Sequence, residues 1–180
     1  GLVQDAACGS LLRSRRQVLH ARIAAALEKQ VAEPIGVQPE VVAHHWANAG
    51  LPDRAIDHWA RAGQHALGRS ATSEALAHFN AALVELGKLP ASVERDRCEL
   101  AVQRALGSAL VAAHGFAATP TGRAYERALE LTERLGELSE LFPVLYGLCL
   151  YHLYGAELAA ANADAQRLID LTKAGNDHGF

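Results

Sequence analysis

The sequence predicts an all-α protein. Half of its 180 residues are hydrophobic but only 6% are aromatic, and alanine and leucine, two strong helix formers, dominate the composition. Apolar residues recur three and four positions apart between proline and glycine breaks, which is the spacing of one face of a helix. No segment alternates apolar and polar residues for long enough to form a β-strand. We therefore expect about eight helices and no sheet.

The expected helix boundaries follow from residues that favour the first turn of a helix or end one. A serine at the N-cap accepts a hydrogen bond from a free backbone N–H, and a proline in the first turn costs no hydrogen bond. Residues 32–36 contain both a proline and a glycine and should separate the first helix from the second. The eight expected helices begin near these residues, in order: Ser14, Pro39, Pro52, Ser73, Ser92, Pro120, Leu141 and Leu158.

The apolar faces of these helices identify candidate core residues. In the first helix the expected inner face consists of Leu19, Ile23, Ala26 and Leu27. Five aromatic residues fall at helical spacing among apolar neighbours, and we expect their rings in the core: Trp46, Trp59, Phe79, Tyr125 and Tyr146. An alternative interpretation is that some of these rings line a ligand pocket in a groove.

Internal repeats predict how the helices are arranged. Residues 55–62 recur as residues 75–82, with an aromatic residue fifth in each segment. At a spacing of forty residues, Leu106-Gly107 is matched by Tyr146-Gly147. A single helical hairpin cannot bury its own apolar face, so repeated hairpins stack on one another. The sequence therefore predicts an α-solenoid of antiparallel helical hairpins.

The repeated segments resemble the second helix of a tetratricopeptide repeat (TPR), in which a small residue, an aromatic residue and a second small residue share one face. The residues that match are Ala55, Trp59 and Ala62, and again Ala75, Phe79 and Ala82. Leu106-Gly107 with Leu110 is similar to the first helix of such a repeat. The small residues let two helices approach closely. Because a regular TPR has a period of 34 residues, the repeats here are degenerate.

A longer resemblance covers most of the chain. Several segments look like the helical region of large bacterial signalling proteins that carry an AAA/STAND-type ATPase module, often fused to a class III adenylate or guanylate cyclase domain. The matching segments are residues 2–7, 11–16, 42–46, 49–52, 106–117 and 141–148. The resemblance implies that residues 1–32 are the tail of a winged-helix-like connector and residues 33–180 are degenerate TPR-like repeats. We also expect both ends of the sequence to be cut points in a larger protein, because the chain has no methionine, opens with Gly1 and stops just after its last helix.

This resemblance implies a non-catalytic, regulatory segment of a signalling ATPase, of the adenylate or guanylate cyclase type. Its partner would be another protein or the parent's own ATPase module, bound in the concave groove of the solenoid. The alternative is a sensor segment of an ATP-dependent transcriptional regulator with the same plan. In the TPR register, the positions facing the groove are Glu40, His44, Asn48, Arg104, Ser108, Tyr151 and His152.

The sequence lacks the residue patterns of catalysis and cofactor binding. Gly87-Lys88 is followed by Leu89 rather than serine or threonine, so it does not form a phosphate-binding loop. The nine histidines and three cysteines include no His-Glu-x2-His or Cys-x2-Cys motif. We therefore expect no catalytic residue, no metal and no cofactor in this segment, with the active sites of the parent lying elsewhere.

Charge and cysteine usage indicate the setting. The three cysteines cannot all pair, and they show no recognisable motif spacing, which favours reduced thiols in the cytoplasm. No apolar run approaches the ~20 residues that cross a bilayer, so we expect no membrane partner. Arg13, Arg15 and Arg16 form a basic run without interleaved aromatic residues, and the rest of the chain is acidic. We expect this run to contact protein rather than nucleic acid.

Overall fold

The computed structural model describes the backbone of residues 2–31 and 38–177, and the side chains of residues 12–29 and 38–173. Within these ranges the chain forms eight helices and no strand, which confirms the all-α prediction. The helices are α1 (Leu2–Val31), α2 (Pro39–Asn48), α3 (Pro52–Gly68), α4 (Thr72–Leu86), α5 (Val93–His114), α6 (Thr119–Leu135), α7 (Leu138–Tyr154) and α8 (Leu158–Asp177).

Most helix boundaries lie where the sequence predicts them. Ser92 caps α5, because its Oγ accepts a hydrogen bond from the backbone N–H of Arg95 at 3.1 Å. Pro39 and Pro52 are the first residues of α2 and α3. Gly136 follows α6 with a φ of 68°, a left-handed conformation that favours glycine.

Two helices begin earlier than predicted. Ser14 lies inside α1 and does not cap it, because the helix is continuous through this position. Helix α7 begins at Leu138 rather than Leu141 and contains Pro143 in its second turn. A proline this close to the start of a helix removes one backbone hydrogen bond and leaves the remaining turns intact. The break predicted at residues 32–36, and the domain boundary predicted there, lie outside the described residues.

Each helix packs chiefly against the helices before and after it in the chain. At several of these contacts an aromatic ring lies against a glycine of the neighbouring helix. Phe79 of α4 covers Gly63 of α3, and Tyr151 of α7 covers Gly122 of α6. A Cβ atom at either glycine would overlap the ring. The missing side chain is therefore what allows the helices to approach this closely.

Tyr125 of α6 joins three helices. Its ring meets Gly107 of α5, where an added Cβ would lie 2.9 Å from the ring, and it also meets Gly147 of α7. The sequence relates these two glycines by a spacing of forty residues. In the structure they contact the same ring, so they do not make equivalent contacts in successive hairpins.

Buried apolar side chains form clusters that follow one another along the described part of the chain. Trp46 lies in a cluster shared by α1, α2 and α3. Phe79 lies in one shared by α3, α4, α5 and Ala124 of α6, and Leu131 lies in one shared by α5, α6 and α7. Trp46, Phe79 and Tyr125 are buried as predicted, and Trp59 is half-buried.

The predicted core position of Tyr146 is wrong. Its side chain is 53% exposed, whereas Val144, Leu145 and Leu148 form the buried face of α7. Because almost every residue of this helix is apolar, hydrophobic spacing alone does not indicate which face is inside.

The predicted inner face of α1 is also wrong in part. Leu19 and Ala26 are exposed, while Ala24 is fully buried. The face that contacts the rest of the protein includes His20 and Glu28, which bond to side chains on α2 and α3. Hydrophobic spacing does not indicate a contact face that carries polar residues, because it marks only apolar positions.

Candidate partner-binding surface

The groove positions predicted on α2 lie on its outer side. His44 and Asn48 are exposed and one turn apart, and Asn48 Nδ2 donates a hydrogen bond to the carbonyl oxygen of His44 at 2.8 Å. Glu40, in the first turn of α2, is half-buried. His44 and Asn48 can therefore meet a partner without any rearrangement of the helices.

The groove positions predicted on α5 are exposed in the same way. Ser108 Oγ donates to the carbonyl oxygen of Arg104 at 3.3 Å. Arg104 Nη1 lies 3.1 Å from Glu140 Oε2 at the start of α7. Two turns earlier on α5, Arg97 Nε lies 2.9 Å from Glu137 Oε1. These four charged residues, with Leu100 and Ala101, line an open cleft of about 220 Å³ between α5 and α7.

This α5–α7 cleft is suited to exchanging ionic partners. Both arginines are exposed and the two glutamates are 32% and 31% exposed, and ion pairs at the surface contribute about 0–1 kcal/mol each. A charged side chain of a docking protein can therefore replace Glu137 or Glu140 at Arg97 or Arg104 at little cost. Beneath the charges the cleft is lined by exposed Ala101 and by the buried Leu100.

The groove positions predicted on α7 are engaged within the helix packing. The Tyr151 ring lies against Gly122, and the side chain is half-buried. His152 Nδ1 lies 2.7 Å from Oδ2 of Asp164, a buried residue of α8. These two residues thus join α7 to α6 and α8. The structure does not bring the seven predicted residues into one continuous set, and their role in binding stays a prediction.

The outward side of α7 is apolar, a feature that the sequence analysis missed. Leu138, Phe142, Tyr146 and Leu153 are all exposed, and we call them the α7 face. The rings of Phe142 and Tyr146 are nearly parallel, with an angle of 4° and centroids 6.5 Å apart. The spacing of four residues between the first three members was the available signal, but the apolar residues on every side of the helix obscured it.

A polar cluster ties α1 to the next two helices. Glu28 Oε1 accepts a hydrogen bond from Trp46 Nε1 at 2.7 Å and lies 2.9 Å from His58 Nε2. Burial raises the pKa of Glu28, but the hydrogen bonds from His58 and Trp46, together with the charges of His58 and Arg54, bring it below its ordinary value. Arg54 lies over the Trp46 ring, 4.6 Å from its centroid. The ionised carboxylate is therefore the form that holds α1 in place.

The Glu28 cluster borders an open cleft of about 490 Å³, also lined by Asp57, Arg61 and Gln64. His58 is buried, and its Nδ1 has no hydrogen-bond partner among the described residues. Glu28, Trp46 and His58 lie on three different helices at irregular spacing, so no sequence pattern indicates that they meet.

A second polar contact joins α1 and α2. His20 Nδ1 and His45 Nδ1 lie 2.9 Å apart, so one nitrogen carries the shared proton and the other accepts it. Burial lowers the pKa of His45, and the neighbouring His20 and His44 lower it further. The contact therefore forms with a neutral His45.

The described cysteines have the environment of packing residues. Burial raises the pKa of both thiols, and the nearby carboxylates of Asp57 and Asp164 raise those of Cys98 and Cys149 respectively. A raised pKa disfavours the thiolate that nucleophilic chemistry requires. The side chain of Cys8 lies outside the described residues.

The described ranges hold neither a metal-binding group nor a membrane-spanning helix. They contain no group of three or more histidine, cysteine, aspartate or glutamate side chains that could hold a metal ion. In the same ranges, no helix combines the length and the apolar character needed to cross a bilayer.

The chain is similar to an uncharacterized protein of Rhizobium meliloti (strain 1021), with 31% identity over 148 residues. The matched region covers 81% of this chain and 14% of that relative, so the chain spans a small part of the relative's length. No family model matches the sequence. No solved structure matches it.

Proposed function

We propose that this chain is a helical-repeat interaction segment, an α-solenoid of antiparallel hairpins that regulates a larger signalling ATPase of the adenylate or guanylate cyclase type. The observation that carries the proposal is the packing of aromatic rings on glycines between successive helices, at Phe79, Tyr125 and Tyr151. Each helix is held by its chain neighbours, so both sides of the stack keep exposed surface.

Exposed surface along stacked helices is the property that repeat proteins use for docking, whereas an enzyme site would require a concave pocket with convergent catalytic groups.

The α5–α7 cleft is the surface that we propose for the partner, with Arg104 as its central charge. Its exchangeable ion pairs provide charge recognition, and its rim is continuous with exposed Ser108. His44 and Asn48, exposed on α2, would offer the partner a second contact apart from the cleft. The partner is another protein or the ATPase module of the same polypeptide.

The great length of the relative supports a multidomain parent, because only 14% of it corresponds to this chain. In such a parent the segment makes and breaks no bond itself. It changes the activity of a nucleotide-consuming module by docking to it or releasing it, and we place the segment in the cytoplasm with that module.

The test uses the whole polypeptide that contains this segment. The coding sequence on both sides should reveal a nucleotide-binding module, and the purified polypeptide should consume ATP or GTP with magnesium. Arg104→Glu should change that rate at least threefold, while Arg69→Glu, at a more exposed arginine outside the cleft, should leave it unchanged. Flanking sequence with no nucleotide-binding module, nucleotide turnover by residues 1–180 alone, or equal rates for both variants would each refute the proposal.

A further inference from the structure

A groove of about 480 Å³ crosses α5 and is walled by α4 and α6, which both pack against α5. Leu106 and Leu110 of α5 are largely buried and form its floor. Asn80 of α4 and Arg123 of α6 are exposed and form its rim, and Gln103 of α5 is half-buried between them. The groove is open to solvent, so a partner can reach it without any movement of the helices.

This α4–α6 groove lies on a different side of α5 from the α5–α7 cleft. Residues 103, 106 and 110 line the groove, and residues 97, 101 and 104 line the cleft. Residues three or four positions apart share one face of a helix, so each set forms a face of its own. The groove is therefore a second surface, and what binds there does not depend on what binds the cleft.

The α4–α6 groove holds a positive charge that the fold does not compensate. In α5 to α8, Arg123 is the one arginine that forms no ion pair with a described residue. Every other arginine of these helices lies within 3.5 Å of a carboxylate oxygen, namely Arg95, Arg97, Arg104, Arg127, Arg134 and Arg167. None of the described residues that line the groove is acidic. A carboxylate is the group that complements a free guanidinium in such a place.

Two carboxamides in the groove have hydrogen-bonding groups to spare. The side chain of Gln103 makes no hydrogen bond to a described residue, although it is half-buried. Asn80 Nδ2 donates to the carbonyl oxygen of Leu76 at 2.8 Å, which leaves Oδ1 without a partner among the described residues. A carboxamide both donates and accepts, so these two side chains can meet the N–H and C=O groups of a peptide backbone.

We infer that the α4–α6 groove binds an extended segment of a partner protein in which apolar and acidic side chains alternate. Successive side chains of an extended peptide point to opposite sides. Its apolar side chains then lie on the floor of Leu106 and Leu110, and its carboxylates lie at the exposed rim beside Arg123. A nucleic acid fits less well, because the lining residues offer a polyanion a single cation.

The test titrates three capped hexapeptides, in which leucine alternates with aspartate, asparagine or lysine, to about 2 mM while the backbone amide shifts of residues 1–180 are followed. Wild type should bind the aspartate peptide with a Kd below about 1 mM, and about threefold or more tightly than the asparagine peptide. The shifts should be confined to α4, α5 and α6. The lysine peptide should bind more weakly still, although the formal net charge of −3 on the chain favours it.

Arg123→Glu should reverse this preference, so that the lysine peptide binds about threefold or more tightly than the aspartate peptide. Arg104→Glu is the matched control, because it changes the same charge in the α5–α7 cleft. Its affinity for the aspartate peptide should stay within twofold of wild type, whether or not the cleft binds the ATPase module. Circular dichroism shows whether each variant is folded, and if Arg123→Glu is not, Arg123→Gln replaces it and should abolish the preference for aspartate over asparagine.

Four results would overturn the inference. They are no shift with the aspartate peptide at the highest concentration, equal affinity for the aspartate and asparagine peptides, an unchanged preference in the Arg123 variant, and shifts centred on the α5–α7 cleft. N-acetylaspartate that binds as tightly as the hexapeptide would also overturn it, because the groove would then recognise a small carboxylate rather than a peptide.

Discussion

Replacing Gly147 with alanine tests the contact between α6 and α7 directly. The added methyl group would overlap the Tyr125 ring, and this ring is buried and also meets Gly107, so it has little room to move. Overpacking of this kind costs about 1–3 kcal/mol, against a gain of about 1 kcal/mol from the higher helix propensity of alanine. We expect Gly147→Ala to lower the free energy of unfolding by up to about 2 kcal/mol.

The matched control is Gly68→Ala at the last residue of α3. No atom lies within 4 Å of a Cβ added at Gly68, so this variant should gain stability or remain unchanged. Both variants gain helix propensity from alanine. The difference between their free energies of unfolding, about 1–3 kcal/mol, therefore measures the steric effect alone. Urea unfolding followed by circular dichroism at constant m-value measures it.

A double-variant cycle identifies the ring as the cause. Tyr125→Ala alone should cost about 3–5 kcal/mol through loss of a buried aromatic side chain. In that background Gly147→Ala should no longer destabilise, because the atoms it would strike are gone. Equal stability of Gly147→Ala and Gly68→Ala would contradict a steric clash at Gly147. The same cost of Gly147→Ala with and without the Tyr125 ring would contradict it as well.

Three further expectations concern helix α5 and the attachment of α1. Ser92→Ala should cost about 1 kcal/mol in urea unfolding, because it removes the side-chain cap of α5; an unchanged midpoint would contradict this. Glu28→Ala should cost about 1–3 kcal/mol, because it leaves the donors of Trp46 and His58 unpaired, and faster hydrogen exchange in α1 and α2 should accompany the loss. The free energy of unfolding should decrease in two stages as the pH is lowered. The first lies below the ordinary His45 pKa of 6.5, because the folded state disfavours the proton that the unfolded chain binds. The second lies below the ordinary Glu28 pKa of 4.5, because the fold needs the ionised carboxylate. His45→Gln should remove the first stage alone, and stability that rises as the pH falls from 7 to 5 would contradict the assignment.

Local signals in the sequence predict the helices well. Serine at position 92, proline at 52 and glycine at 136 each act through the backbone of their own turn, so the cap and the helix boundaries follow from nearby residues. The core positions of Phe79 and Tyr125 are also predicted correctly. These residues lie on helices whose polar residues indicate which side faces the solvent.

The sequence does not predict which side of a helix faces the core where polar and apolar residues are not on separate sides. In α7 the apolar residues surround the helix, so Tyr146 was assigned to the core although it lies on the exposed α7 face. In α1 the opposite difficulty arises, because His20 and Glu28 on the contact face are polar residues whose partners lie 25 and 18 positions away. Contacts of this kind depend on tertiary structure and leave no periodic signal.

The arrangement of helices in which each packs on its chain neighbours underlies the proposed function, since it leaves the sides of the stack open for docking. Shortening the chain after Gly136 tests this claim most directly, because it removes α7 and α8 as a unit. If the helices form a stack, the hydrogen-exchange protection factors of α3 and α4 in the shortened chain should stay within about tenfold of those in the full chain, because the packing partners of these helices remain. If the helices instead closed into one bundle, protection in α3 and α4 would collapse together with that of α6.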